Sequence, residues 1–389
     1  MDDTQSTINW GDGVNLWPIT QGADTLTATH TYVDNNAPGT LYAVHISYYE
    51  GDGLFEADTT ATIYDVAPTL SNLNATAINE NGVTRLTGTI TDPGVLDNFW
   101  LDINWGDPRS PGNAEDNITY GVSATGSQTF SLTHHYLDNP TGSPSGQYTT
   151  AMDVTDQDGE TGFGSTTVTV SNLAPIVGWL TVTTSLEGAL SNVPALLSGT
   201  FSEPGSLDSH TVIFNWGDGT MPTTLPSLPA GTLDFSGITH TYADNRTGGP
   251  PGGGAFGNYT ISVTVKDNDN ITSLPRTVIA TVGNVPPSLS NVVVTASSEG
   301  GSAMLSGIIF DPSPLDSTTL KIAWGGGAIL NETFNFVPPN NALLQTSFSV
   351  PHSYPDNGAY PVLVKVKDDD MSPDVLWPSV TVTGAMSAT

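Results

Sequence analysis

The chain has 389 residues, with eight Lys and Arg against 39 Asp and Glu, a net charge of −31, and no cysteine. That charge excludes nucleic acid and anionic membrane surfaces as partners, because no basic surface is present to neutralise phosphates. The absence of thiols excludes disulfides, and no apolar run reaches membrane-spanning length, so no membrane insertion is expected in this segment.

The predicted elements recur in one order along the chain. INWGDG (8–13) and HTYVDN (30–35) are followed by YAVHISYYEGDG (42–53) and the junction VAPTL (66–70). INWGDP (103–108), HHYLDN (134–139), YTTAMDVTDQDG (148–159) and LAPIV (173–177) repeat that order. FNWGDG (214–219), HTYADN (240–245), YTISVTVKDNDN (259–270) and VPPSL (285–289) repeat it again. IAWGGG (322–327), HSYPDN (352–357) and YPVLVKVKDDDM (360–371) close the chain. The tyrosines of the His-x-Tyr step, Tyr32, Tyr136, Tyr242 and Tyr354, lie 104, 106 and 112 residues apart. A period of this size predicts tandem modules: a partial one at 1–66 lacking its first strands, then complete ones at 67–173, 174–284 and 285–389. About 100 residues suffice for each to bury its own core.

Within a module the alternation of apolar and polar residues predicts short strands. In TISVTV, for instance, Ile261, Val263 and Val265 face one way. In the second module seven strands are placed at 69–77, 84–91, 99–105, 117–124, 127–134, 147–155 and 163–171. The expected fold is all-β, a tandem series of two-sheet antiparallel sandwiches. Short junctions containing Pro would give an extended rod. Trp10, Trp105, Trp216 and Trp324 end the third strand and should fill the core. Tyr42, Tyr148, Tyr259 and Tyr360 begin the sixth, where a tyrosine corner is expected.

WGDG, then HxY, then GxYxVxVxVxDxDG, then VxNxAP is a pattern that resembles PKD domains. The longer form, with LTGTITDPGVLD (86–97) and LSGTFSEPGSLD (197–208), looks like the PKD-type repeats of large bacterial surface and secreted proteins. The resemblance covers nearly the whole chain and implies an immunoglobulin-like fold. It implies no activity, since such modules serve as spacers, adhesive elements or accessory domains. WGDP, WGGG, EPG (203–205) and DPSP (311–314) depart from the pattern.

The acidic loops carry the chemistry. Asp92 and Asp97 lie in the loop after the second strand, and Asp156 and Asp158 in the loop after the sixth; a sandwich brings these loops to one end. The third module offers Glu203, Asp208, Asp267 and Asp269, and the fourth Asp311, Asp316, Asp368 and Asp370. Gathered carboxylates repel one another without a cation, and Ca²⁺, which takes about 6–8 oxygen ligands, suits them better than Mg²⁺. The alternative is that Asp-Pro-Gly and Asp-x-Asp-Gly are turn sequences and nothing more. Module one keeps only Glu50 and Asp52, and the turn reading is preferred there. At the opposite end of each module Glu80, Asp107, Asp138 and Asn139, and likewise Glu187, Asp244 and Asn245, form a second set facing the next module's loops, the Asp-Asn tail of each His-x-Tyr-x-Asp-Asn motif among them. They are candidate ligands for cations at the junctions.

The histidines, one per module without a partner at ligand spacing, read as structural hydrogen-bonding groups rather than zinc ligands. No nucleophile elbow, phosphate loop or His-Glu-x-x-His motif appears, so no enzyme is expected. The sequence reads as a non-catalytic extracellular structural protein of a bacterial surface, a calcium-stiffened rod in a stalk, surface layer or filament. Its partners would then be other copies of itself or other surface proteins. The alternative is an adhesin or carbohydrate-binding region, with Trp17, Trp100, Trp179 or Trp377 stacking on polysaccharide. For Trp179, packing at a module junction is the preferred reading. The partial first module exposes an edge that a donated strand could complete, unless the chain is a fragment.

Overall fold

The computed structural model describes residues 7–16, 20–21, 26–35, 41–50, 53–109, 112–245, 255–295, 297–298, 301–325, 332–337, 344–354, 356, 358–370 and 379–387. Asp52, Trp17 and Trp377 lie outside them. By contacts the chain divides into two compact units, Met1–Leu173 with Pro204–Asp208, and Ala174–Glu203 with Ser209–Thr389.

The first unit begins with β1 (Thr7–Asn9), β2 (Asn15–Leu16), β3 (Thr20–Gln21), β4 (Leu26–Thr27), β5 (Tyr42–Glu50) and β6 (Gly53–Ala61). A four-stranded sheet runs β2-β1-β5-β6, and β3 pairs with β4. Ile8 and Val44 are buried on that sheet. It continues with β7 (Thr69–Ala75), β8 (Ile78–Asn79), β9 (Gly82–Thr91), β10 (Phe99–Asn104), β11 (Ala114–Tyr120), β12 (Ser127–Tyr136), β13 (Ser145–Thr155) and β14 (Thr161–Ser171). These form two sheets, β12-β9-β7 and β11-β10-β13-β14-β8. Every pairing between them is antiparallel except β8 with β14. Alternate residues along β13 are buried, the pattern of a sheet with one face on a core. Leu86, Ile90 and Phe130 from one sheet meet Leu101, Met152, Val154 and Val168 from the other.

The second unit repeats this topology twice. Its first sandwich comprises β15 (Ile176–Val182), β16 (Ser185–Leu186), β17 (Ala195–Ser202), β18 (His210–Asn215), β19 (Thr223–Leu228), β20 (Asp234–His240), β21 (Phe256–Asp267) and β22 (Arg276–Gly283). Its sheets run β15-β17-β20 and β16-β22-β21-β18-β19. The next has β23 (Ser288–Thr295), β24 (Ser297–Ser298), β25 (Ser302–Phe310), β26 (Thr318–Trp324), β27 (Glu332–Phe336), β28 (Gln345–Ser353), β29 (Ala359–Asp368) and β30 (Ser379–Ser387). Its sheets run β23-β25-β28 and β24-β30-β29-β26-β27.

The predicted strands fall where the alternation put them, with two differences. The strand expected at 69–77 is split: β7 lies in one sheet and β8 crosses to the other. A bulge between Ser71 and Asn74, with Asn72 at φ 52, bends the chain there. The strand expected at 117–124 begins three residues earlier, at Ala114. The crossing matters for the site. The parallel ladder of β8 on β14 continues as Glu80 N–H donating to Ser171 O at 2.9 Å, which fixes Glu80 at the end of the sandwich. Glu187 is placed the same way, its N–H on Gly283 O at 3.0 Å.

The aromatic markers build one cluster four times. Trp105 and Trp216 are fully buried, and Trp10 and Trp324 half-buried. A histidine stacks on each indole, with ring centroids 5.0, 4.8, 4.5 and 4.3 Å apart from module one to four. The Asp of the WGD turn faces that histidine: Asp12 bonds His30 at 2.6 Å and Asp218 bonds His240 at 2.7 Å. Burial alone would raise both carboxyls, but their hydrogen bonds, from His30 to Asp12 and from Thr220 and His240 to Asp218, hold them below the usual carboxylate range. Every WG glycine has positive φ, at Gly11, Gly106, Gly217 and Gly325. At the first three a Cβ would strike the backbone of the sixth strand, at Ala43, Thr149 and Thr260.

Candidate metal centres

The tyrosine corner connects the fold to the site. Tyr42, Tyr148, Tyr259 and Tyr360 donate their hydroxyls to the backbone carbonyls of Asp34, Asp138, Asp244 and Asp356, at 3.1, 3.2, 2.8 and 3.0 Å. The Asp of each His-x-Tyr-x-Asp-Asn motif is thereby held at the end of its module.

In the first unit this places Asp34 beside the loops of the following sandwich. Val95 N–H donates to Val33 O at 3.0 Å across the two modules. Asp34, Asp97 and Asp158 each bring an oxygen within 4.8 Å of the others. Asp97 is 1% exposed, and neither of its carboxylate oxygens has a hydrogen-bond partner. Burial first, then the charges of Asp34, Asp92 and Asp158, push its pKa up to about 7. Burial and the Asp158 charge likewise raise Asp34. Gly94 lies directly beneath: a Cβ there would collide with Asp97 Oδ2.

In the second unit the corresponding set has four members. Glu187, Asp244, Asp316 and Asp370 offer oxygens within 4.8 Å of one another. Glu187 comes from the turn after β16 and Asp244 from the turn after β20. Asp316 and Asp370 come from the loops of the following sandwich. Glu187 is fully buried and accepts N–H bonds from Val285 at 2.7 Å and Asn245 at 2.8 Å. Burial outweighs those bonds and, with the Asp244 and Asp311 charges, pushes its pKa up to about 8. Asp316 is raised further, to about 9, by burial and then by Glu187, Asp311 and Asp244, against the opposing Ser313 hydrogen bond.

The turn reading and the ligand reading use different oxygens of the same residues. Asp156 Oδ1 accepts the N–H groups of Asp158, Gly159 and Glu160 at 3.0, 2.8 and 3.0 Å, a tight Asx cage. Asp92 Oδ1 accepts from Gly94 at 2.6 Å and Asp311 Oδ1 from Ser313 at 3.0 Å. The Oδ2 atoms of all three are buried without a hydrogen-bond partner. A buried polar atom without a partner costs about 1–3 kcal/mol, and a divalent cation would satisfy several at once.

The remaining predicted residues fall as follows. Glu80 is buried and accepts the N–H of Leu173 at 2.7 Å. Asp138 pairs with Arg109 at 2.6 Å, and the Asn139 amide donates to Pro140 O and Ser143 O. Glu203 bonds His210 Nε2 at 3.0 Å, a contact particular to this module, since Phe99 and Thr318 stand at the place of His210 in the second and fourth. Asp208, Asp267 and Asp269 are buried, and Asp267 Oδ1 accepts from Asp269 and Ile271, both at 2.9 Å. Asn245 lies buried beside Glu187, and Asp368 Oδ1 accepts from Asp370 at 3.0 Å.

Two candidate ligands escaped the sequence reading: Asp65 and Asn284. Asp65 and Asn284 occupy the second place before the junction Ala-Pro or Pro-Pro, and each keeps a buried oxygen, Oδ2 and Oδ1, without a hydrogen-bond partner. The V-x-N-x-A-P pattern was the available signal. Trp179, expected to pack at a junction, is 54% exposed because the bulge between Val177 and Leu180 resets the alternation on β15, turning Leu180 to the core and Trp179 outward.

No family model matches the chain, and no curated protein matches it. Among solved structures the chain is similar to the tetra-tandem repeat in the extending region of a large adhesion protein, at 20% identity over 99% of this chain and 92% of that one, with a TM-score of 0.49. It is similar to Sidekick-1 immunoglobulin domains 1–5, at 13% identity over 99% and 74%, with a TM-score of 0.32. It is also similar to the PKD domain of an M14-like peptidase from Thermoplasmatales archaeon SCGC AB-540-F20, at 25% identity over 26% and 99%, with a TM-score of 0.19. The chain is a tandem series of immunoglobulin-like β-sandwiches, as its sheet topology shows.

Proposed function

We propose that this is a non-catalytic, extracellular structural segment whose module junctions are clamped by calcium. The observation that carries the reading is Asp97. It is a carboxylate 1% exposed, with both oxygens unpartnered, facing Asp34 of the preceding module and Asp158 of its own. A hard cation with oxygen ligands answers that geometry, and Ca²⁺ accepts the irregular, carboxylate-rich shells these loops provide. Because the ligands come from two modules, the ion resists bending at the junction. Stiff junctions suit a stalk, surface layer or filament in which the partners are like chains or other surface proteins. Among the described residues no helix is long and apolar enough to cross a membrane.

Small-angle scattering of the full chain with and without calcium tests the clamp. Calcium should narrow the distribution of interatomic distances and flatten the high-angle rise of a Kratky plot. Superimposable curves would refute it. A second reading, polysaccharide binding, rests on the exposed indole of Trp179. Pull-down on insoluble polysaccharides, lost in Trp179→Ala, would favour it.

A further inference from the structure

The second unit carries more ligand oxygen than one ion can use. Beside the junction set, Asp311, Asp316 and Asp368 form another group with oxygens within 4.8 Å of one another. Asp316 belongs to both sets. We propose that the junction before the fourth sandwich holds two calcium ions, with the Asp316 carboxylate bridging them; this rests on the calcium reading above.

Each ion has its own ligands. One takes Glu187, Asp244 and Asp370, from both modules. The other takes Asp311 and Asp368, from the fourth module's loops. Asp316 is 1% exposed; Ser313 Oγ donates to its Oδ1 at 2.7 Å, and its Oδ2 has no hydrogen-bond partner. Asp311 is also 1% exposed, with Oδ1 used in its turn and Oδ2 unpartnered. A neutral donor lies alongside: Asn284 Nδ2 donates to Asp368 Oδ1 at 3.2 Å, and the buried Asn284 Oδ1 has no hydrogen-bond partner. Charge points to the same number. Six carboxylates bring a formal −6; one Ca²⁺ leaves −4 and two leave −2. Uncompensated charge of that size is costly away from water. A shared carboxylate also fits the separation of about 3.5–4 Å usual between paired metal ions.

Native mass spectrometry of the full chain, equilibrated with CaCl₂, counts the ions. Relative to the unmodified chain, Asp316→Asn should lose two calcium ions, Asp311→Asn one and Glu187→Gln one. If Asp311→Asn loses none while Glu187→Gln loses one, the second ion is overturned and the clamp stands. If Asp316→Asn loses fewer than two, the bridge is overturned. If the unmodified chain binds none, both readings fall. Should a variant fail to fold, the unmodified chain loaded with Mn²⁺ keeps the test open. Electron paramagnetic resonance should then show an exchange-coupled pair, and spectra of isolated Mn²⁺ alone would contradict the bridge.

Discussion

Chelation of divalent cations is expected to lower the melting temperature of the chain most at pH 8 and least at pH 5. The reason is the set of buried carboxyls whose pKa values are raised in the folded state: Asp97 and Asp311 to about 7, Glu187 to about 8 and Asp316 to about 9. Burial is the leading cause for each, and neighbouring carboxylates add to it. Unfolded, these groups titrate near 4. Between about pH 4 and their folded pKa values the cation-free folded state holds more protons than the unfolded one, so its stability falls as pH rises. The stabilising protonation is complete below about pH 4 and is lost by pH 8–9. A bound cation replaces those protons and maintains stability in the alkaline range. An ion present at about 100 times its dissociation constant contributes about 2.7 kcal/mol, or roughly 5–10 °C for a unit of this size. Differential scanning calorimetry in EDTA and in calcium, across pH 5–8, measures it. Parallel pH profiles in the two conditions would contradict the assignment.

The second large effect is a reversal of sign. Asp97→Asn should destabilise the chain in calcium and stabilise it in EDTA at pH 8. In calcium the variant loses a ligand to an ion shared with Asp34 and Asp158. Without calcium it removes a buried charge that has no hydrogen-bond partner. Each change is expected to be on the order of 2 kcal/mol. The measurement is denaturant unfolding of variant and parent in both conditions. Asp97 as an ordinary turn residue would give the same sign in both, since loss of a turn contact does not depend on calcium. Asp92→Asn is a useful contrast, because Asp92 Oδ1 holds Gly94 N–H at 2.6 Å and so contributes to the turn as well.

Much of the architecture was legible in the residues. The alternation in YTTAMDVTDQDG, with Tyr148, Thr150, Met152 and Val154 inward, places β13 and its loop directly. The repeated Trp, His and Tyr mark the core because large aromatics have few places to go in a small sandwich. The site was legible in part. The acidic loops are evident from composition, but their grouping is not. Asp97 and Asp158 meet Asp34, a residue of the preceding module, and nothing local to either segment encodes that meeting. It depends on how one sandwich is set on the next. Asp65 and Asn284 were obscured for another reason: next to Ala-Pro and Pro-Pro they read as linker residues. The choice between turn and ligand could not be made from residue type either, because Asp156 and Asp311 give one oxygen to the turn and keep the other free of hydrogen bonds.

At the module junctions calcium is proposed to take the place of protons on buried carboxylates. Isothermal titration of CaCl₂ into the chelator-stripped full chain at pH 7, in PIPES and again in Tris, tests it directly. Saturable binding with proton release is expected, seen as a heat that differs between the two buffers in proportion to their ionisation enthalpies. No saturable heat, or the same heat in both buffers, would contradict it.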